Sequence, residues 1–126
     1  MEEAAVPPAR GRRLRKHQRL RANRDFQRVY EAKQAWHGPH VVIFFLDNGL
    51  PIARIGLSVG RKHGNAVRRN RIKRALREAY QKFEHGLPAG YDFVLVPRRR
   101  ETLSTTEQLG ADLEKLARRL KRAGTG

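Results

Sequence analysis

The residues with the strongest chemical character in this chain crowd into one short stretch: Arg61, Lys62, Arg68, Arg69, Asn70, Arg71, Lys73, Arg74 and Arg77. A guanidinium grips phosphate through a planar fork of two hydrogen bonds and stacks on bases, which a lysine ammonium does not do. The chemistry such a run offers is the binding of polyphosphate, not proton transfer or nucleophilic attack. The whole chain leans the same way, with 28 Lys plus Arg against 12 Asp plus Glu and a formal net charge of +16. Self-repulsion on that scale opposes folding, and a polyanionic partner is the simplest thing that offsets it. The charge is also blocked. Arg10 to Arg28 holds nine basic residues and one acid, Asp25, and Arg61 to Lys82 holds nine more with one acid, Glu78. A surface tuned only for solubility would intersperse the signs.

Residue types that make and break bonds are not grouped for it. His17, His37, His40, His63 and His85 are scattered, with no pair at metal-ligand spacing on one helix face. Asp47, Asp92 and Asp112 form no recognisable carboxylate cluster for two-metal hydrolysis, and Ser58 and Ser104 lack a nucleophile-elbow context. The chain has no cysteine, which removes disulfides, thiolate metal sites and a thiol nucleophile, and which suits a reducing cytoplasm. We therefore expect no catalytic residue, no metal ligand and no cofactor bound by the protein itself. The longest apolar run, Val41 to Leu46, is far short of the ~20 residues of a spanning helix. Met1 to Arg24 has no apolar stretch resembling a secretory signal.

The elements that must position the basic run can be read from periodicity. Residues 1–18, with Pro7, Pro8 and a basic run, are expected to form a flexible arm, followed by one domain over 19–123. Asn23 is a candidate N-cap for a short helix with Asp25 in its first turn and Phe26, Val29 and Tyr30 on one face. Gly38-Pro39 ends that segment. His40 to Asp47 is β-branched and aromatic on both faces, so it predicts a central, covered strand. Asp47-Asn48-Gly49 is a turn signal, and Ile52 to Gly60 predicts the next strand, with Gly56, Ser58 and Gly60 leaving room on one face. A loop with two glycines, Gly60 and Gly64, feeds a helix from Ala66 or Val67 to Phe83, whose apolar stripe is Ile72, Ala75, Leu76, Ala79 and Phe83. Tyr91 to Val96 predicts a third strand stopped by Pro97. A last helix over Thr105 to Arg122 has Ser104 and Glu107 as a capping box and Leu109, Leu113, Leu116 and Leu120 as its buried stripe. The order α-β-β-α-β-α gives a single small domain of the α+β class, one sheet with helices packed on it. Cations in the first turns of the second helix oppose its dipole by roughly 0.3–1 kcal/mol each, a cost that a bound phosphate reverses.

Arg61-Lys62-His63-Gly64-Asn65-Ala66-Val67-Arg68-Arg69-Asn70-Arg71-Ile72-Lys73-Arg74 resembles the signature of the bacterial ribonuclease P protein subunit. Flanking segments are similar too: Asp25-Phe26-Gln27-Arg28-Val29-Tyr30, Gly56-Leu57-Ser58-Val59 and Tyr91 to Arg98, so the resemblance covers about Arg15 to Leu120. One departure stands out. The family often has a basic, glycine-containing turn after its first helix, where this chain has Glu31 to Gly38.

The resemblance implies an accessory subunit of the cytoplasmic ribonucleoprotein that removes the 5′ leader from precursor tRNA. The RNA subunit would perform the hydrolysis with Mg²⁺, with one protein per catalytic RNA and no membrane partner. It further implies that Arg61, Arg68, Arg69, Asn70, Arg71, Lys73, Arg74 and Arg77 contact the catalytic RNA. By the same resemblance Phe26, Tyr30 and Phe44, with Lys62 nearby, form a cleft that takes the leader and so lowers the Mg²⁺ requirement. The implied fold joins two parallel strands by a left-handed crossover, against the right-handed rule that about 98% of such units obey. Read from the residues alone, those aromatics are equally candidates for the core. The competing function is a structural ribosomal protein binding rRNA, which shares the size and charge but does not account for an aromatic cleft beside a basic helix.

Overall fold

A computed structural model describes residues 19–83, 87–99 and 101–125, with side chains as far as Lys121. The arm expected over residues 1–18 lies outside them. The sheet is built around the strand richest in β-branched and aromatic residues. Val41, Ile43 and Phe45 alternate with Val42, Phe44 and Leu46, so both faces of Val41–Asp47 carry apolar side chains and both are covered. With β1 as Ala35–His37, β2 as Val41–Asp47, β3 as Arg54–Leu57 and β4 as Tyr91–Pro97, the strand order is β1-β2-β4-β3. The β1/β2 and β2/β4 pairs are antiparallel and the β3/β4 pair is parallel.

Helix α1 (Asn23–Glu31) covers one face, where Val29 and Val94 are fully buried. Helices α2 (Ala66–Lys82) and α3 (Thr106–Thr125) share the other face. There Ile43, Phe93 and Leu95 meet Leu76, Leu113 and Leu116 in the main core. The α+β class and the one-sheet architecture are as expected, and β2 is central as its two apolar faces required.

Several details differ from the expectation. A fourth strand, β1, pairs with β2 where the sequence offered only a helix end and Gly38-Pro39. Helix α1 stops at Glu31, and Lys33 takes the left-handed conformation (φ 58°) at the helix exit, a place glycine usually fills. This is how Glu31 to Gly38 does without the family's usual glycine turn. Asn23 does not cap α1: the N-cap is Ala22, with no side-chain bond. The Asp47-Asn48-Gly49 turn joins strands that are not neighbours, because β4 lies between them. Strand β3 is shorter than Ile52 to Gly60. The capping box of α3 is Thr105 with Gln108, one residue on: Gln108 N donates to Thr105 Oγ1 (3.1 Å) and Thr105 N donates to Gln108 Oε1 (2.9 Å). Ser104 instead pairs its hydroxyl with His40 Nδ1 at 3.0 Å.

Two buried carboxylates are structural pins. Asp112 on α3, 1% exposed, accepts the backbone N–H groups of His40 (2.9 Å) and Val41 (3.0 Å), fixing the helix to the start of β2. Asp112→Ala leaves both donors unmatched, at about 1–2 kcal/mol each, the lower part of the usual range. Chemical denaturation should therefore show a loss of roughly 2–4 kcal/mol, with an unchanged m-value. The second pin, Asp92, pairs with Arg54 across the β3/β4 register.

Candidate nucleic-acid interface

The α2 surface begins at a loop that only certain residues permit. Gly64 has φ 118°, a conformation that favours glycine, and the Arg68 side chain packs against it where a Cβ would come within 2.5 Å of Arg68 Cδ. Asn65 caps the helix, its Oδ1 accepting from Arg68 N at 2.9 Å. The preceding 3₁₀ turn, Arg61–His63, is clamped by His63. Its Nδ1 accepts from Gly60 N (3.2 Å), which leaves the hydrogen on Nε2 to donate to Pro97 O (2.8 Å). This ties the loop to the end of β4.

Burial then sorts the helix by face. Leu76 and Ala79 are buried, and Ile72, Ala75, Tyr80 and Phe83 pack half-buried beside them. Burial also pushes the Tyr80 hydroxyl pKa up. Asn70, Arg71, Arg74 and Arg77 are exposed along the opposite side. Arg68, Arg69 and Lys73 are half-buried on its flanks, and Arg61 and Lys62 are exposed just before it. The helix has no acid in its first turn. Among the described residues the ion pairs are Arg28–Asp25, Arg54–Asp92 and Arg118–Glu114. None uses Arg61, Lys62, Arg69, Arg71, Lys73, Arg74 or Arg77. Arg68 is anchored, its Nη2 donating to Glu101 O at 2.8 Å. The Nε–H of Arg69 is buried without a hydrogen-bond acceptor.

The aromatic residues gather on the other face of the sheet. Tyr30 and Phe44 meet edge to face, with centroids 5.0 Å apart at 88°. Phe26 lies over Gly56, where a Cβ would come within 2.6 Å of its ring. The small face of β3 is thus filled from within the protein, by Phe26 and by Leu20, whose N–H donates to Ile55 O at 3.0 Å. All three rings are half-buried, packed against the cluster of Leu20, Val29 and Val94. Lys62 lines a cavity with Arg68 and Arg71, so it continues the α2 surface.

Sequence reading missed Arg98 and Arg99, which line the same cavity from the β4 side, and the Arg54–Asp92 pair. Arg98 and Arg99 follow directly on β4 in the sequence, but nothing local showed that they face α2. Asp47, Asp92 and Asp112 are well separated in role: Asp47 Oδ1 accepts from Gly49 N, Asp92 holds Arg54, and Asp112 holds backbone. No helix among the described residues is long and apolar enough to cross a membrane.

Comparison with known proteins agrees with this geometry. The family model described as Ribonuclease P matches residues 14–121. The chain is 44% identical over 81 residues to the ribonuclease P protein component of Natranaerobius thermophilus, covering 64% of this chain and 70% of that one. It is 41% identical over 100 residues to that of Pelotomaculum thermopropionicum, covering 79% and 89%. Among solved structures, the Staphylococcus aureus RNase P protein superposes with a TM-score of 0.69 at 33% identity, covering 82% of this chain and 95% of that chain. The Thermotoga maritima RNase P protein gives 0.67 at 32% identity, covering 77% and 96%. With a basic helix open to solvent and a family match over residues 14–121, this protein belongs to the ribonuclease P protein family, whose members are RNA-binding components of a tRNA-processing ribonucleoprotein.

Proposed function

We propose that this chain assists a catalytic RNA in removing the 5′ leader of precursor tRNA, one protein to one RNA, in the cytoplasm. The observation that carries this reading is the exposed cationic side of α2, whose Arg71, Lys73, Arg74 and Arg77 enter no ion pair among the described residues. Facing an RNA backbone, these groups, with Arg61, Arg68 and Arg69, would neutralise phosphates and release counterions, while the Asn70 amide would hydrogen-bond to the RNA. Hydrolysis belongs to the RNA subunit with its Mg²⁺. On this reading the protein lowers the Mg²⁺ requirement by holding the leader and by neutralising charge that the ions would otherwise screen.

The leader itself is assigned to the cleft of Phe26, Tyr30 and Phe44. Partly exposed aromatic rings suit bases that stack without sequence-specific hydrogen bonds, at roughly 1–3 kcal/mol per base. Phe26→Ala should weaken holoenzyme binding of precursor tRNA about tenfold and leave mature tRNA binding unchanged. Equal losses for both ligands would remove the cleft from leader recognition. Because Phe26 also packs over Gly56, the variant's folded fraction is to be checked by circular dichroism first.

The defining experiment is reconstitution with the cognate catalytic RNA at low Mg²⁺. Cleavage at the leader junction should require RNA and be enhanced by this chain, while RNA-free protein should be inactive. Cleavage by protein alone would turn the reading into that of a self-sufficient nuclease.

A further inference from the structure

The basic surface contains a hole that phosphate binding does not explain. Between α2 and the segment joining β4 to α3 lies a cavity of about 370 Å³, within the range of pockets that hold small organic groups. Its floor is apolar: Ile72 and Ala75 from α2, Leu103 from the connecting segment, and Leu109 from α3. Its rim is cationic: Lys62, Arg71, Arg98 and Arg99 stand around it, with Glu101 as the acid. Lys62, Arg71 and Arg99 are exposed and enter no ion pair among the described residues.

The wall opposite α2 is held in place. Arg98 Nε donates to Gly38 O at 2.7 Å, Arg68 Nη2 donates to Glu101 O at 2.8 Å, and His40 meets the Ser104 hydroxyl at 3.0 Å. These bonds tie Arg98, Glu101 and Ser104, three residues of that wall, to other elements. An apolar slot ringed by guanidinium groups matches one chemistry well: a flat base that enters the slot while its flanking phosphates stay on the rim.

The geometry points to a base-binding pocket: the cavity takes one unstacked nucleotide of the RNA that lies along α2. RNA is favoured over a free nucleotide because the rim cations continue directly into the exposed Arg71, Arg74 and Arg77 row, which a single mononucleotide cannot occupy. This inference rests on the proposed RNA partner and adds to it a point of specificity. Phosphate contacts fix position on an RNA, whereas a captured base selects a place where the strand is unpaired.

Leu103 gives the cleanest test, because it lines the cavity from a connecting segment, outside the main core and without charge. Leu103→Trp fills the slot and keeps every cation. Binding of the full-length chain to the cognate catalytic RNA should weaken about tenfold, the scale of one lost stacking contact, with the salt slope unchanged. Base-specific chemical probing should show an unpaired base that wild type protects and the variant leaves reactive. Should Leu103→Trp melt early, Leu103→Ala, which strips the floor, carries the test with the same loss of protection. Equal affinity and an unchanged protection pattern in a folded variant would overturn the inference. So would AMP binding to the RNA-free protein at micromolar concentration, which would give the cavity to a free nucleotide. Failure of wild type to bind the catalytic RNA at all would instead refute the proposed function on which this inference stands.

Discussion

Replacing Arg71, Arg74 and Arg77 together by alanine is expected to weaken binding of the catalytic RNA roughly 100-fold at moderate salt, at about 1 kcal/mol per exposed phosphate contact, below the usual range for charge-assisted bonds. The slope of log affinity against log salt should flatten by about three units, about one for each phosphate contact removed. Both numbers follow from position. The three side chains are exposed, they project away from Leu76 and Ala79, and none is engaged by a carboxylate among the described residues. For the same reason the protein's own stability should change little, since surface substitutions of this kind are usually within about 0.5 kcal/mol. Removing positive charge from a +16 chain should if anything relieve repulsion. Weakened RNA binding with a full salt slope would mean that these arginines act through protein structure instead of phosphate contact.

The largest effect on the fold should come from the opposite side of the sheet. Asp92, 2% exposed, holds Arg54 through a paired bond, Nε to Oδ1 and Nη2 to Oδ2, each 2.7 Å. Asn48 Nδ2 adds a bond to Asp92 Oδ1 at 2.9 Å and another to Ile52 O at 3.2 Å, so the pair also fastens the turn that follows β2. Asp92→Ala leaves a half-buried guanidinium and the Asn48 amide without their shared acceptor and should lower unfolding stability by about 3–5 kcal/mol. The double change Arg54→Met with Asp92→Leu should cost far less than either single change, because an apolar pair of similar size needs no desolvated charge.

The hydrogen bonding that Arg54 donates to Asp92 is the main reason the Arg54 pKa lies above its ordinary value. A folded-state pKa raised in this way gives stability that is complete below the unfolded value and lost only as pH climbs past it. The gap between wild type and Asp92→Ala should therefore stay level from neutral to mildly alkaline pH. A gap that closes over that range would mean that some other group carries the effect.

How much of this was legible beforehand depends on whether the information was local. Helix α2 was, because its apolar stripe and its basic side are both encoded within one segment; its Asn65 cap was read only from the structure. So was β2, whose two apolar faces required cover on both sides. The edge strand β1 was not: Ala35-Trp36-His37 is too short for a pattern and becomes a strand only because β2 offers it an edge. The α3 cap slipped by one residue because Ser104 and Thr105 are chemically alike, and only the distant His40 decides which of them is taken elsewhere. The cavity beside α2 was invisible for a similar reason. Its second wall comes from residues that meet α2 only after β4 crosses the sheet, and no spacing within either segment records that meeting. The half-buried state of Phe26, Tyr30 and Phe44 likewise depends on α1 docking over Gly56, which sequence placed on a small face without saying what would fill it.

The central claim is that the outer side of α2 lies against the catalytic RNA, and proximity tests it most directly. The chain has no cysteine, so a single introduced thiol can carry an iron–EDTA probe at a unique place. Val67 is 61% exposed at the start of α2 and contributes no charge, which makes Val67→Cys a mild attachment point. Lys115→Cys on the outer side of α3 is the matched control. The account predicts strong, localised cuts in the catalytic RNA from the probe at 67 and few from the probe at 115. Equal cutting from both positions, or cutting from 115 alone, would contradict it.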